Sequence, residues 1–279
     1  MNSKTSEKIG REQGIIHSKL SFPIKTERDK QLEKCWQSFD AIYCLSLQKR
    51  TDRQNQARTI FSELMCPVQF YLCEKGKYSP AYHISNAHSD VAEHALKLGY
   101  QNILVFEDDA EPCSSINVLS LLRIVVSFIK TQPYHFFFLG CFPHAITFKV
   151  APSAFESIYE IRGGWSQWHA YILSRQGMKA VAKFQLPKTA KQGLDCFFNS
   201  EPERYAIFPM IFRQSSSPSN YVSEFGNQIK YWSSSPLTWW AFHVRINLRE
   251  LALIICVLLF FCWILRKLSN HSRISGNKR

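Results

Sequence analysis

The sequence predicts an α/β fold: a single Rossmann-type domain around a mostly parallel central sheet, with a separate hydrophobic helix near the C-terminus. Three observations carry this expectation. Short apolar runs rich in aromatic and β-branched residues alternate with segments of helical period. One such run, Ile103-Leu104-Val105-Phe106, passes directly into Glu107-Asp108-Asp109, and ligands of open α/β sheets bind outside the carboxyl ends of strands. Residues 251 to 265 (LALIICVLLFFCWIL) contain no charge and are followed by Arg266 and Lys267.

Along the chain, residues 1 to 37 are expected as a polar, charged leader, loosely structured or helical, with little to pack. Ala41 to Leu47 is a buried strand, and Asp52 is placed to cap a helix that turns Ile60, Phe61 and Leu64 inward. Val68 to Cys73 is a second strand. Ala87, Val91, Ala95 and Leu98 recur at helical spacing as far as Gly99, a C-terminal stop, and Asn102 to Phe106 then delivers the acids. An apolar helix is expected from Ser115 to Lys130 and a central strand from Tyr134 to Phe142. Further strands follow over Ile158 to Trp165 and Tyr171 to Leu173, then a Ser174-capped helix through Phe184 and a last strand from Tyr205 to Phe212. Strands joined through helices run parallel with right-handed crossovers.

The folded domain is placed at residues 38–230, with an interfacial amphipathic segment at 231–250 around Trp239 and Trp240. A membrane-anchor helix at 251–265 and a basic tail at 266–279 complete the chain. Fifteen residues at about 1.5 Å each reach about 23 Å, short of a hydrocarbon core of about 30 Å. The segment is therefore a single pass that recruits its flanks, a shallow re-entrant anchor, or a buried core helix.

Composition narrows the function classes. With 279 residues, 46% of them hydrophobic, the chain can bury one sizeable core. Of the net charge of +12, +6 falls in residues 231 to 279, so the central domain is nearly balanced. That distribution excludes a nucleic-acid reader, which carries its basic face on the folded body, and points to membrane lipids as partners of the tail. The nine cysteines show no zinc spacing, and several sit beside apolar neighbours, so they are expected as buried free thiols of a reduced compartment. The first 35 residues hold no continuous apolar segment, so no signal peptide is expected and the folded domain is placed in the cytosol.

Packing alone does not explain three consecutive carboxylates at a strand end. They either hold Mg²⁺ or Mn²⁺ against a diphosphate or form a solvated acidic loop. Several separate segments then resemble glycosyltransferase family 25, the lipooligosaccharide and collagen galactosyltransferases. Ile42 to Arg53 is similar to the family's opening strand and arginine and aspartate-arginine pattern, with Ser46 where asparagine is usual. Ala87-His88-Ser89 resembles its serine-histidine helix, with Ala87 in place of serine, and Leu104 to Asp109 matches its acidic motif. His169 to Ser174, Asp195, and Pro209 through Gln214 to Ser217 resemble its later motifs.

The resemblance implies a GT-A-like fold and a metal-dependent, inverting transfer of a hexose, galactose in the family, from a UDP-sugar to a glycan, lipid-linked or protein hydroxyl. Asp109 is the expected metal carboxylate, with Glu107 or Asp108 as a second metal ligand or a contact to the donor's ribose. Arg50 and Arg53 are placed to reach the donor's diphosphate through planar guanidinium forks, and His88 to support the nucleotide pocket as a buried donor. Asp195 is the first candidate base and His169 the second, the latter equally well a packed structural histidine. Gly163-Gly164-Trp165 and Trp168 are candidates for the acceptor rim. Two other classes remain: an inactive membrane-bound adaptor that keeps the fold, to which the departures at Ser46 and Ala87 point, and a metal-dependent phosphohydrolase, for which further acid and histidine clusters are lacking.

Overall fold

A computed structural model describes residues 15–16, 25–74, 76–114, 116–143, 149–163, 165–190, 193–194, 197–198, 201–215, 255–256 and 258–260. The chain divides into two compact units, Met1–Ser234 and Ser235–Arg279. In the first, a nine-stranded sheet runs in the order β1-β3-β2-β4-β9-β6-β10-β8-β7. These strands are β1 (Ile15–Ile16), β2 (Ala41–Leu47), β3 (Gln69–Cys73), β4 (Asn102–Glu107), β6 (Phe136–Pro143), β7 (Lys149–Pro152), β8 (Ile158–Arg162), β9 (Trp165–Ser174) and β10 (Arg204–Ile207). A second, two-stranded sheet pairs β5 (Ala110–Pro112) with β11 (Phe212–Gln214). The helices are α1 (Glu27–Trp36), α2 (Thr51–Glu63), α3 (Pro80–Lys97), α4 (Val118–Thr131) and α5 (Arg175–Lys183).

The first half follows the βαβ expectation. β3, β2 and β4 are parallel, connected through α2 and α3. The second half does not: β9 is antiparallel to both β4 and β6, and the sheet as a whole is mixed rather than mostly parallel. The cause is the connection. Parallel neighbours need a crossover of a dozen or more residues, usually a helix, whereas β6 and β9 are separated by the β7/β8 antiparallel pair and no helix among the described residues. The expected strand over Ile158 to Trp165 is broken at Gly163, whose φ of +76° ends β8. Trp165 then begins a ten-residue strand that absorbs Tyr171 to Leu173. The expected last strand also divides, with β10 in the main sheet and Phe212 handed to β11.

Helices cover both faces. Leu104 and Phe106 of β4 share one core cluster with Trp36 of α1, Phe61 of α2 and Leu122 and Phe128 of α4. On the other face α3 and α5 pack together, and His94 of α3 meets the Tyr43 ring at 6.2 Å. The leader packs more than its polarity suggests: Thr26 and Asp29 form a capping box that starts α1, which buries Leu32, Cys35 and Trp36. Ser174 caps α5 as expected, its side chain accepting from the Gly177 N–H. Asp52, by contrast, does not cap α2. The N-cap is Arg50, and Asp52 lies in the first turn with its carboxylate on the Arg50 guanidinium.

The buried cysteines Cys35, Cys44, Cys66 and Cys141 are free thiols. No helix among the described residues is long and apolar enough to cross a membrane. Of the run 251–265, residues 255–256 and 258–260 are described; they are helical, with Ile255, Leu258, Leu259 and Phe260 exposed. Residues 231–250 and 266–279 lie outside the described residues.

One close approach yields a test of sign. A Cβ at Gly177 would lie 2.1 Å from the His135 carbonyl oxygen, because the first turn of α5 sits directly on the chain entering β6. Gly to Ala in a helix ordinarily stabilises by up to about 1 kcal/mol. Here Gly177→Ala is expected to destabilise by about 1–3 kcal/mol, the cost of overpacking, read as a lower urea midpoint at unchanged slope.

Candidate active site

The parallel register of β2 and β4 sets Leu45 opposite Glu107. The carboxyl end of β2, with Ser46, therefore lies beside the acids that leave β4. Partners from β2, α2, α3 and β11 meet the three carboxylates, and two of those partners are shared. Asp108 accepts from the Ser46 hydroxyl through Oδ2 at 2.6 Å and from Arg53 Nη1 through Oδ1 at 3.0 Å. Asp109 accepts from the same Arg53 nitrogen at 3.2 Å, and its backbone carbonyl accepts from Ser215 N at 2.7 Å. Glu107 Oε1 lies 3.4 Å from His88 Nε2 and its Oε2 accepts from Gln214 Nε2 at 3.1 Å. The same Gln214 nitrogen is 3.5 Å from Asp109 Oδ1.

The cation that sequence reasoning demanded for the trio is thus supplied in part from within the chain. Arg53, in the first turn of α2, is 8% exposed, and its Nη1 lies between two carboxylates that are themselves nearly buried. Gln54 fixes the turn that presents it, donating to the Leu47 and Gln48 carbonyls. Burial raises the Asp108 carboxyl above its usual value, against the Ser46 hydroxyl and the Arg53 guanidinium, which pull it down. Arg50 sits at the same edge, its guanidinium 2.8 Å from Asp52 and its own pKa raised by that bond first, with Asp108 and Asp109 adding to it.

His88, on α3, is buried and stands between Glu107 and Tyr171 of β9, with Nδ1 2.6 Å from the tyrosine oxygen. Burial pushes the Tyr171 phenol well above its ordinary value, with the Glu107 charge adding to it. The phenol therefore keeps its proton and is able to donate to Nδ1 when the imidazole carries its own proton on Nε2, the nitrogen that faces Glu107.

His169, on β9, packs beside β11. It is buried with Nε2 3.2 Å from the Phe212 carbonyl, over Gly140, where a Cβ would lie 2.3 Å from that same nitrogen. Trp168 is 3% exposed and packed among Phe136, Phe138, Tyr171 and Phe198. Asp195, Gly164 and the Trp165 side chain lie outside the described residues. Leu194, immediately before Asp195, donates from its N–H to Ser85 of α3, one turn ahead of His88.

Three residues of this network were not foreseen in these roles: Ser46, Tyr171 and Gln214. Ser46 lies one residue before the end of β2 and Tyr171 lies on a buried strand, so strand register brings out their roles. Gln214 appeared only within a resembling motif, because β11 is too short to be recognised from sequence.

Among the described residues no group of three or more His, Cys, Asp or Glu side chains is arranged to hold a metal ion. Arg53 lies between Asp108 and Asp109, and Gln214 between Glu107 and Asp109, so the trio is no closed cage. Mg²⁺, however, is usually held by one or two carboxylates together with substrate phosphates, and Gln214 draws Glu107 and Asp109 toward a common donor. Glu107 and Asp109 are the residues that could hold such an ion, each through the oxygen Gln214 approaches, with Asp109 Oδ2 on Arg53, while both oxygens of Asp108 are engaged by Ser46 and Arg53.

No family model matches this chain, and no curated protein matches it. Among solved structures, A197 from STIV is 13% identical, covering 63% of this chain and 84% of that one at a TM-score of 0.38. UDP-glucose pyrophosphorylase complexed with UDP-glucose is 10% identical over 72% of this chain and 83% of that one, with a TM-score of 0.36. An apo UDP-glucose pyrophosphorylase is 10% identical over 67% and 79%, with a TM-score of 0.40. Likeness at this level assigns neither family nor chemistry, and the functional reading rests on the site itself.

Two outcomes follow from the geometry. Arg53→Leu strands two buried carboxylates and is expected to cost about 3–5 kcal/mol, measured by chemical denaturation. Tyr171→Phe leaves His88 Nδ1 without its donor. Long-range ¹H–¹⁵N correlation spectra should show a single Nε2–H tautomer for His88 in the parent and a tautomer mixture in the variant.

Proposed function

We propose that the chain is a membrane-associated glycosyltransferase that transfers a hexose, galactose by family resemblance, from a UDP-sugar to a hydroxyl of a glycan, a lipid-linked sugar or a protein. One observation carries the reading: at the carboxyl edge of parallel β2 and β4, Arg53, His88 and Gln214 from three other elements hold Glu107, Asp108 and Asp109 in fixed positions. An acidic strand end made only for solubility needs no such scaffold, since solvated carboxylates satisfy themselves with water. At a donor site, fixed carboxylates are what a pre-organised electrostatic environment requires.

In this reading Glu107 and Asp109 seat Mn²⁺ or Mg²⁺, which supplies neutralisation of the leaving diphosphate. Gln214 keeps the two carboxylates together, and His88 orients Glu107. Arg50, partly exposed at the same edge, reaches the diphosphate, while Arg53 sets the charge of the floor beneath it. Transfer with inversion is a single displacement: the acceptor oxygen bonds to the anomeric carbon as the bond to the diphosphate oxygen breaks, and the hydroxyl proton passes to a base. Asp195 is assigned that role ahead of His169, whose Nε2 is engaged by the Phe212 carbonyl. Residues 251–265 anchor the chain, and the domain works on the cytosolic side; the support is the uncharged run itself and the exposed Ile255, Leu258, Leu259 and Phe260.

A second reading, an inactive adaptor, is favoured by one feature: Arg53 already compensates Asp108 and Asp109 without any ligand. Mn²⁺-dependent binding of UDP to the full chain, followed by calorimetry, separates the two. For the enzyme, Glu107→Gln and Asp109→Asn should each lower UDP-sugar turnover at least a hundredfold, measured by mass spectrometry on variants with unchanged circular dichroism. Turnover equal to that of the parent in both variants would overturn the metal assignment, and absence of UDP binding in the parent would select the adaptor.

A further inference from the structure

Away from the acidic site, α1 and α4 enclose a groove of about 370 Å³. Lys34 and Cys35 line it from α1, and Arg123, Val126 and Lys130 from α4. Both helices run into the amino-terminal ends of strands, α1 into β2 and α4 into β6, and β6 is parallel to β4 because both pair antiparallel with β9. Lys34 and Lys130, in the last turns of their helices, therefore lie toward the edge of the sheet opposite Glu107, Asp108 and Asp109.

The charge in this groove is unbalanced. Lys34, Arg123 and Lys130 make no ion pair with any described residue, while cations elsewhere on the surface do: Lys25 with Glu33, Lys97 with Glu93, Arg162 with Glu160 and Arg213 with Glu111. Among the described residues no carboxylate lines the groove. The convergence also registers on Cys35, whose thiol is raised by burial while Arg123, Lys130 and Lys34 are the charges that pull it back. Three cations gathered without an anion repel one another, and the arrangement favours a ligand that brings negative charge. Val126, Cys35 and the methylene stems of the lysines give that ligand an apolar wall.

We propose that the α1/α4 groove binds the phosphate headgroup of an anionic membrane lipid, with the lipid's glycerol region against Val126 and Cys35. The required chemistry is a phosphate with an apolar neighbour. A lipid is favoured as its source over a free phosphorylated metabolite because the same chain carries the uncharged run 251–265 and a basic C-terminal segment, which bring it to a bilayer. The inference shares that membrane setting with the proposed function but not the chemistry of the acidic site.

The test uses the full chain in nanodiscs of phosphatidylcholine alone or with about one third phosphatidylglycerol. Lysine labelling by an N-hydroxysuccinimide ester is read residue by residue by mass spectrometry. Labelling of Lys34 and Lys130 is expected to fall at least threefold in the anionic discs, with Lys97, exposed on α3, unchanged. Arg123→Glu, or Arg123→Gln should the reversal unfold the domain, is expected to restore labelling of both lysines. Equal labelling in the two compositions overturns the proposal. Equivalent protection by millimolar glycerol 3-phosphate in phosphatidylcholine discs overturns the lipid source in favour of a soluble phosphate. Failure of the chain to enter discs at all overturns the membrane setting and the groove's occupant with it, whereas loss of UDP binding alone leaves the groove standing.

Discussion

The arrangement at the strand ends depends on one contact, the Nη1 of Arg53 held between the Asp108 and Asp109 carboxylates. Two carboxylates that are buried side by side would repel and lose hydration, and the chain as a whole is stable by only about 5–15 kcal/mol if it is an ordinary domain. A guanidinium is suited to the position because it stays ionised and presents several donors in a rigid fork. Its own placement is secured by α2, whose first turn is tied back to the end of β2 through Gln54. Strand, turn and helix are therefore fixed together by a single charge arrangement.

Glu107 is built differently from its neighbours. It is the last residue of β4, and its partners come from α3 and β11, so its position reports on parts of the chain distant in sequence. The mixed topology matters here. Because β9 runs antiparallel beside β4, Val105 is registered with Tyr171, and the phenol of Tyr171 arrives next to His88 on the α3 face. A parallel strand inserted at that place would have brought a different residue to His88. β5, which continues the chain from Asp109, recruits β11 and with it Gln214, opposite Ala110.

What could be read from the sequence follows the range of the interactions involved. β2, β4, α5 and the central strand beginning near Tyr134 are specified by local pattern and by a single cap, and they were legible. The carboxylates at the end of β4 were legible for the same reason, since their placement depends only on where the apolar run stops. The partners of those carboxylates were not. Arg53 was expected on a ligand and instead lies between two acids, because nothing within α2 records that β2 and β4 are neighbours in that register. The direction of β9 was missed because a strand pattern carries period but no sense of direction, and the split of the final strand because a three-residue ladder such as β11 has too few residues to show alternation.

Arg50 and Arg53 looked equivalent in the sequence, three positions apart beside the same strand end, and the structure makes them opposites. Arg53 is enclosed, and separating it from its acids leaves uncompensated charge in a low-dielectric site, a cost of about 3–5 kcal/mol. Arg50, its side chain 18% exposed, holds Asp52, whose side chain is 66% exposed, through a two-pronged contact; with one partner open to water, this pair is weaker than the enclosed one at Arg53. A dianionic ligand arriving at this edge would therefore draw Arg50 away from Asp52 at less cost than it would move Arg53, which would stay with the floor. The two arginines divide the work that three carboxylates and a diphosphate together impose: one holds the acids in place and the other is available to the ligand.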